Sequence, residues 1–206
     1  MEQLTQQGSD NRAAVFALIA LALATICGAV LLAVPDPIEG VRLVIRLTAR
    51  ISLALFLGAF LASSLARLRP GATSRWLVAN RRALGLGFAL SHMIHAGALA
   101  ILYNADRALF WSLTNPVTVA GGSITYGFIA ALAFTSFDGA VRMLGAQRWR
   151  RLHTAGVWVI WLVFLISNAK RIPASTAYTV PSLILIAALV LRVYAARGAR
   201  RLPATT

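Results

Sequence analysis

The chain has 206 residues, of which 59% are hydrophobic and only 13% charged, with a mean hydropathy of +0.74. A water-soluble domain carries about a quarter charged residues, so lipid must replace water as the solvent for much of this surface. The net charge of +14 comes from 20 Lys+Arg against 6 Asp+Glu. A soluble protein so charged suggests nucleic acid. Here the arginines fall in short clusters between apolar runs, which is the pattern of topogenic charge beside anionic lipid, and no nucleic-acid partner is expected. Cys27 is the single cysteine, which excludes an intrachain disulfide and multi-thiolate metal sites.

Residues 1–12 are polar and read as a flexible lead-in. Six apolar segments of spanning length follow, over residues 13–34, 47–66, 83–103, 117–137, 152–168 and 178–194. Pro35-Asp36-Pro37 ends the first, because proline cannot continue the helical ladder. Arg42, Arg46 and Arg50 precede the second, and Arg67, Arg69, Pro70 and Gly71 close it. Arg75, Arg81 and Arg82 precede the third, which contains His92 and His95. Asn104-Ala105-Asp106-Arg107 is a polar break, followed by a semi-apolar stretch in which Trp111 suits a membrane interface. Asp138, Arg142, Arg148, Arg150 and Arg151 separate the fourth segment from the fifth, and Arg197, Arg200 and Arg201 follow the sixth. The expected fold is an all-α, multi-pass six-helix bundle forming one membrane domain. With both ends inside, inside segments hold fourteen basic residues and outside segments six. The bias predicts N-in/C-in insertion.

The three histidines are the chemical content of the sequence. His92 and His95 lie deep in the third segment, three residues apart and therefore on one helix face. His153 opens the fifth. Ionisable residues inside a membrane are functional by default, and imidazole is a usual axial ligand of haem. A lone membrane histidine equally serves to hydrogen-bond a neighbouring helix, and one near the interface is simply solvated. Gly85, Ala89, His92, Ala96 and Ala100 form a stripe of mostly small residues that admits either a flat macrocycle or another helix. No glycine-rich nucleotide loop is present, so the chain offers no visible nicotinamide or nucleotide site.

Four elements carry a family resemblance: Leu47-Thr48-Ala49-Arg50; Arg81-Arg82-Ala83-Leu84-Gly85-Leu86 with His95 thirteen positions after Arg82; Leu132-Ala133-Phe134-Thr135-Ser136; and Arg148-Trp149-Arg150-Arg151-Leu152-His153. In order and spacing, over roughly residues 45–170, they resemble the ferric-reductase-like transmembrane domain. Within it they are most similar to the MsrQ branch of haem-binding membrane subunits that feed a periplasmic methionine sulfoxide reductase. The resemblance implies one or two haem b groups held between the third and fifth helices of a bacterial inner-membrane protein. It implies electrons drawn from a quinol, or from a separate reductase supplying a quinone or flavin, and passed to a periplasmic partner. The chain would then be an electron-transfer subunit rather than a self-contained enzyme. His95 matches the ligand of the third helix and His153 the first ligand of the fifth. The second, thirteen positions on, falls on Ile166, while His92 is additional to the pattern. Arg81, Arg82, Arg150 and Arg151 are candidate partners for haem propionates, or else topogenic and lipid-facing charges. The alternative is a haem-free relative that keeps the bundle as a membrane scaffold or interaction subunit.

Overall fold

A computed structural model describes residues 2–200, with side chains described over residues 10–198. Nine α-helices lie among the described residues: α1 (Glu2–Ala33), α2 (Pro37–Leu68), α3 (Ala72–Ala79), α4 (Arg81–Ala105), α5 (Arg107–Leu113), α6 (Pro116–Phe134), α7 (Asp138–Leu144), α8 (Ala146–Ala169) and α9 (Thr179–Arg200). Six stretches are long and apolar enough to cross a membrane: Asp10–Ala33, Pro37–Leu68, Arg81–Ala105, Pro116–Phe134, Ala146–Ala169 and Thr176–Gly198. They belong to α1, α2, α4, α6, α8 and α9, and the three short helices connect their ends. The protein is thus a multi-span helical bundle.

Helix boundaries differ from the sequence expectation where polar residues are absorbed into helices. The lead-in is not irregular, because α1 is helical from Glu2. α2 begins at Pro37, ten residues before the expected start at 47. The Asp36 carboxylate caps it by accepting from the backbone N–H of Ile38 and Glu39, and Pro37 occupies the first turn, where no donor is needed. Arg42 and Arg46 are therefore helical, and both pair with Glu39, at 2.6 and 2.9 Å. The 32 residues of α2 give a rod about 48 Å long, well beyond the ~30 Å of a hydrocarbon core. Similarly, α8 starts at Ala146 rather than near 152, launched by Gly145, whose φ of 77° suits a residue without a Cβ. Arg148, Arg150 and Arg151 fall in its first two turns, and His153 lies about 10 Å along it rather than at its end. Arg192, expected near the end of the sixth segment, lies well inside α9. Arg201 and the side chain of Arg200 lie outside the described residues.

The tightest helix pair is α2 with α4, joined by a buried polar seam. Ser52 Oγ donates to Ser91 Oγ at 2.9 Å, and Ser91 Oγ donates to the Thr48 carbonyl at 3.1 Å. Small hydroxyl residues let helix backbones approach and satisfy each other where lipid offers no partner. On the other side, α6 and α8 meet at Gly156, where a Cβ would stand 2.9 Å from Leu132 Cδ1. The central core is aromatic and aliphatic, built from Phe56, Phe60, Phe88, Ile129, Ile160, Trp161 and Leu185. The buried Trp161 indole is satisfied by the Leu185 carbonyl at 3.1 Å.

Candidate functional site

A cavity of about 780 Å³ opens at one end of the bundle, lined by residues of α1, α2, α4, α6, α8 and α9. Because Arg12 of α1 and Ala196 of α9 both line it, the start of α1 and the end of α9 share a face, as alternating spans require. Its deep wall is apolar, with Phe56, Phe60, Phe88, Ile129 and Ile160. Arg12, Arg67, Arg81, Arg82, Arg150 and Arg192 also line it, against one acid, Asp138. Asp138 meets Arg82 Nη1 at 3.5 Å. Of the arginines singled out in the sequence, Arg81, Arg82 and Arg150 line the cavity, while Arg151 is exposed and does not.

The small-residue stripe of α4 supplies one wall. Gly85 and Ala89 line the cavity; a Cβ on Gly85 would meet nothing within 4 Å, so Gly85 faces open space, whereas Ala89 is buried in the central core. His153, Thr154 and Val157 of α8 also line it.

The bonding around His153 fixes its tautomer. Thr135 Oγ1 has one proton and donates it to the Ala131 carbonyl at 2.6 Å. It therefore accepts from His153, whose Nε2 lies 3.0 Å away, which assigns the ring proton to Nε2 and leaves the lone pair on Nδ1. The Trp149 indole stacks on the His153 ring at 4.1 Å and donates its own N–H to the Thr135 carbonyl at 2.7 Å. Residues of one helix end and one helix start thus clamp the ring.

His95 is fixed the opposite way. Thr48 Oγ1 donates to the Val44 carbonyl at 2.6 Å, so at 3.2 Å from His95 Nδ1 it is an acceptor. The Ile45 carbonyl also accepts from Nδ1, at 3.0 Å. The proton belongs on Nδ1 and the lone pair on Nε2. Donation from the far nitrogen to a backbone carbonyl is the arrangement that orients metal-ligating histidines. His92 turns into the bundle, its ring 5.2 Å from both Phe88 and Tyr126, 5.6 Å from Phe164 and 5.4 Å from His95. Its Nδ1 and the Tyr126 hydroxyl are buried without hydrogen-bond partners. Neither histidine of α4 is directed at lipid, and Phe88 and His92 bring the third span into ring contact with Phe164 of the fifth.

His153 lines the cavity, whereas His92 and His95 do not, so the three histidines do not share one site. Among the described residues, no three His, Cys, Asp or Glu side chains gather as a metal-binding group. Ile166 is half-exposed. Tyr126 beside His92 and Arg192, counted only among the basic residues of the inside segments, escaped the sequence reading, while Thr48 and Thr135 were seen there only as members of family-like segments and not as the acceptors of the histidine protons.

Fold and site define a multi-span helical membrane protein with an arginine-lined cavity and separately clamped histidines. Over 163 residues the chain is 28% identical to the protein-methionine-sulfoxide reductase heme-binding subunit MsrQ of Cronobacter sakazakii, covering 74% of this chain and 76% of that one. This is distant homology, and it supports kinship at the level of the ferric-reductase-like superfamily. No family model and no solved structure matches the chain.

Proposed function

We propose that the protein is a b-type haem-binding subunit that moves electrons across a bacterial cytoplasmic membrane. The observation that carries this reading is the cavity of about 780 Å³ between Gly85 and Ala89 on one wall and His153 on the other, lined by arginines. A volume of this size is that of a cofactor pocket. The residues fit one haem: the open space beside Gly85 would leave room for a macrocycle, guanidinium groups of the lining would hold its propionates, and His153 would be its protein ligand. They do not fit a bis-histidine haem between His95 and position 166, where Ile166 has no lone pair to offer. Bound there, the haem supplies a one-electron carrier, and the distant MsrQ relative is itself described as haem-binding.

The chain's own residues do the rest. Arg82 and Arg150 hold negative charge at the cavity, while Phe56, Phe60, Phe88 and Ile160 exclude water from its depth. His153 must release Thr135 to present Nε2. His95, with Nε2 free, is the candidate ligand for a second haem towards the opposite face. The arginine face is cytoplasmic, giving N-in/C-in insertion. A quinol, or a separate reductase carrying flavin, is the donor, and a periplasmic reductase is the acceptor.

A specific observation favours a second reading, a haem-free scaffold: His153 Nε2 is already engaged at 3.0 Å and Ile166 leaves His95 without a counterpart. One experiment separates the two. Protein purified from haem-sufficient membranes should show a Soret band that shifts on dithionite reduction, with the haem-to-protein ratio falling in His153→Ala. A folded protein without a Soret band would establish the scaffold instead.

A further inference from the structure

The geometry points to an anion-binding site in the arginine-lined cavity, built on Arg192 in its wall with the exposed Arg81 and Arg67 at its rim, that takes a carboxylate or phosphate of an amphiphilic ligand. It rests on the haem reading only for the identity of that ligand. Arg192 stands eight residues before the end of α9, about 12 Å along the helix, where a guanidinium is costly unless it has a task. A long side chain with no task would extend along its helix to reach water. Arg192 instead turns to the cavity wall. Its Nη1 donates to the Phe60 carbonyl at 2.7 Å, and its guanidinium lies 4.2 Å over the Phe60 ring and 5.4 Å from that of Trp158. That clasp fixes the plane of the fork and uses one of its five N–H donors.

Arg81 and Arg67 line the same cavity as Arg192. Arg81 has only a 3.5 Å contact with Ser63 Oγ. Among the described residues none of the three is paired with a carboxylate. Arg67 and Arg81 are exposed at the open end of the cavity while Arg192 is half-buried in its wall, so the lining is strongly cationic and would favour an anion. The single acid of the lining, Asp138, meets Arg82 instead. A planar guanidinium held rigidly at an apolar wall grips a carboxylate or phosphate through two parallel bonds. The adjoining aromatic wall requires that the rest of the ligand be apolar. Two sources carry this chemistry, a haem propionate and a phospholipid phosphate, and the haem reading selects the first.

The test uses full-length protein purified without haem and titrated with haem b and with haem dimethyl ester, whose propionates are uncharged. Wild type should prefer haem b by about tenfold or more, the worth of a charge-assisted pair. Arg192→Gln should reduce the preference to about twofold, Arg81→Gln should shift it in the same direction, and Arg151→Gln, outside the lining, should leave it unchanged. If Arg192→Gln lowers the melting temperature but keeps the preference, Arg192 merely ties α9 to α2 and the site is overturned. If wild type binds neither porphyrin, the haem reading fails by itself, and the site is then decided by short-chain phosphatidylglycerol against the matching diacylglycerol, which lacks the phosphate. A preference for the anionic lipid that Arg192→Gln abolishes supports it, and no preference refutes it.

Discussion

Replacing Thr135 by valine should tighten haem binding rather than weaken it. The Thr135 hydroxyl spends its only proton on the Ala131 carbonyl at 2.6 Å, so its bond to His153 consists of the ring Nε2–H donating at 3.0 Å. For His153 to ligate iron through Nε2, that bond must be lost. A neutral hydrogen bond has a net worth of about 0.5–1.5 kcal/mol. Removing the acceptor beforehand should therefore raise haem affinity by about two- to tenfold. Valine keeps the β-branched shape, and the Trp149 indole bonds the Thr135 backbone carbonyl, which the substitution leaves in place. Loss of the Ala131 bond affects free and haem-loaded protein alike, so it shows in the melting temperature and not in the affinity. Haem titration of haem-depleted protein, followed at the Soret band, reads the effect, with Thr135→Ser as the control that keeps wild-type affinity. Weaker binding by Thr135→Val would mean that the hydroxyl supports the bound ring. Unchanged binding would mean that His153 does not ligate through Nε2.

Two further outcomes bear on the bundle itself. Gly156→Ala places a Cβ 2.9 Å from Leu132 Cδ1 and 3.1 Å from its Cγ, and should cost about 1–3 kcal/mol by overpacking α6 against α8. Thermal unfolding in detergent measures it, and a wild-type melting temperature would show that Leu132 yields freely. In a Cys27→Ser background, a cysteine replacing Ala72, which is exposed at the start of α3, should be shielded from an impermeant maleimide applied to intact cells. Labelling from outside would overturn the N-in/C-in insertion.

Six apolar runs of spanning length made the number of spans legible, because lipid imposes a minimum length that composition reveals at once. Their ends were less legible. Arginine both marks a loop and is a good helix former, so Arg42, Arg46, Arg148, Arg150 and Arg151 were placed outside helices that contain them. Glu39 keeps two of these in register, and Gly145 sets where α8 starts. The histidines were visible as residue types, but what decides their chemistry lies on other helices. Nothing in the spacing of His92 and His95 announces that Ile45, three spans away in sequence order from Phe164, supplies the acceptor for one ring while Phe164 packs on the other. Arg192 was hidden by its neighbours in sequence: beside Arg197, Arg200 and Arg201 it read as one more topogenic charge, and only the fold turns it towards Phe60.

The two opposed histidine tautomers make the site separable. Every atom that holds the His95 proton belongs to α2 or α4, and every atom that holds the His153 proton belongs to α8 or to α6 and its capping residue. Each ring is thus oriented by its own helix pair, and neither depends on what the other ring faces. A substitution on α8 can therefore change what faces the α2–α4 pair without loosening His95. A sliding of one pair past the other would change the gap between them while leaving both protons where they are.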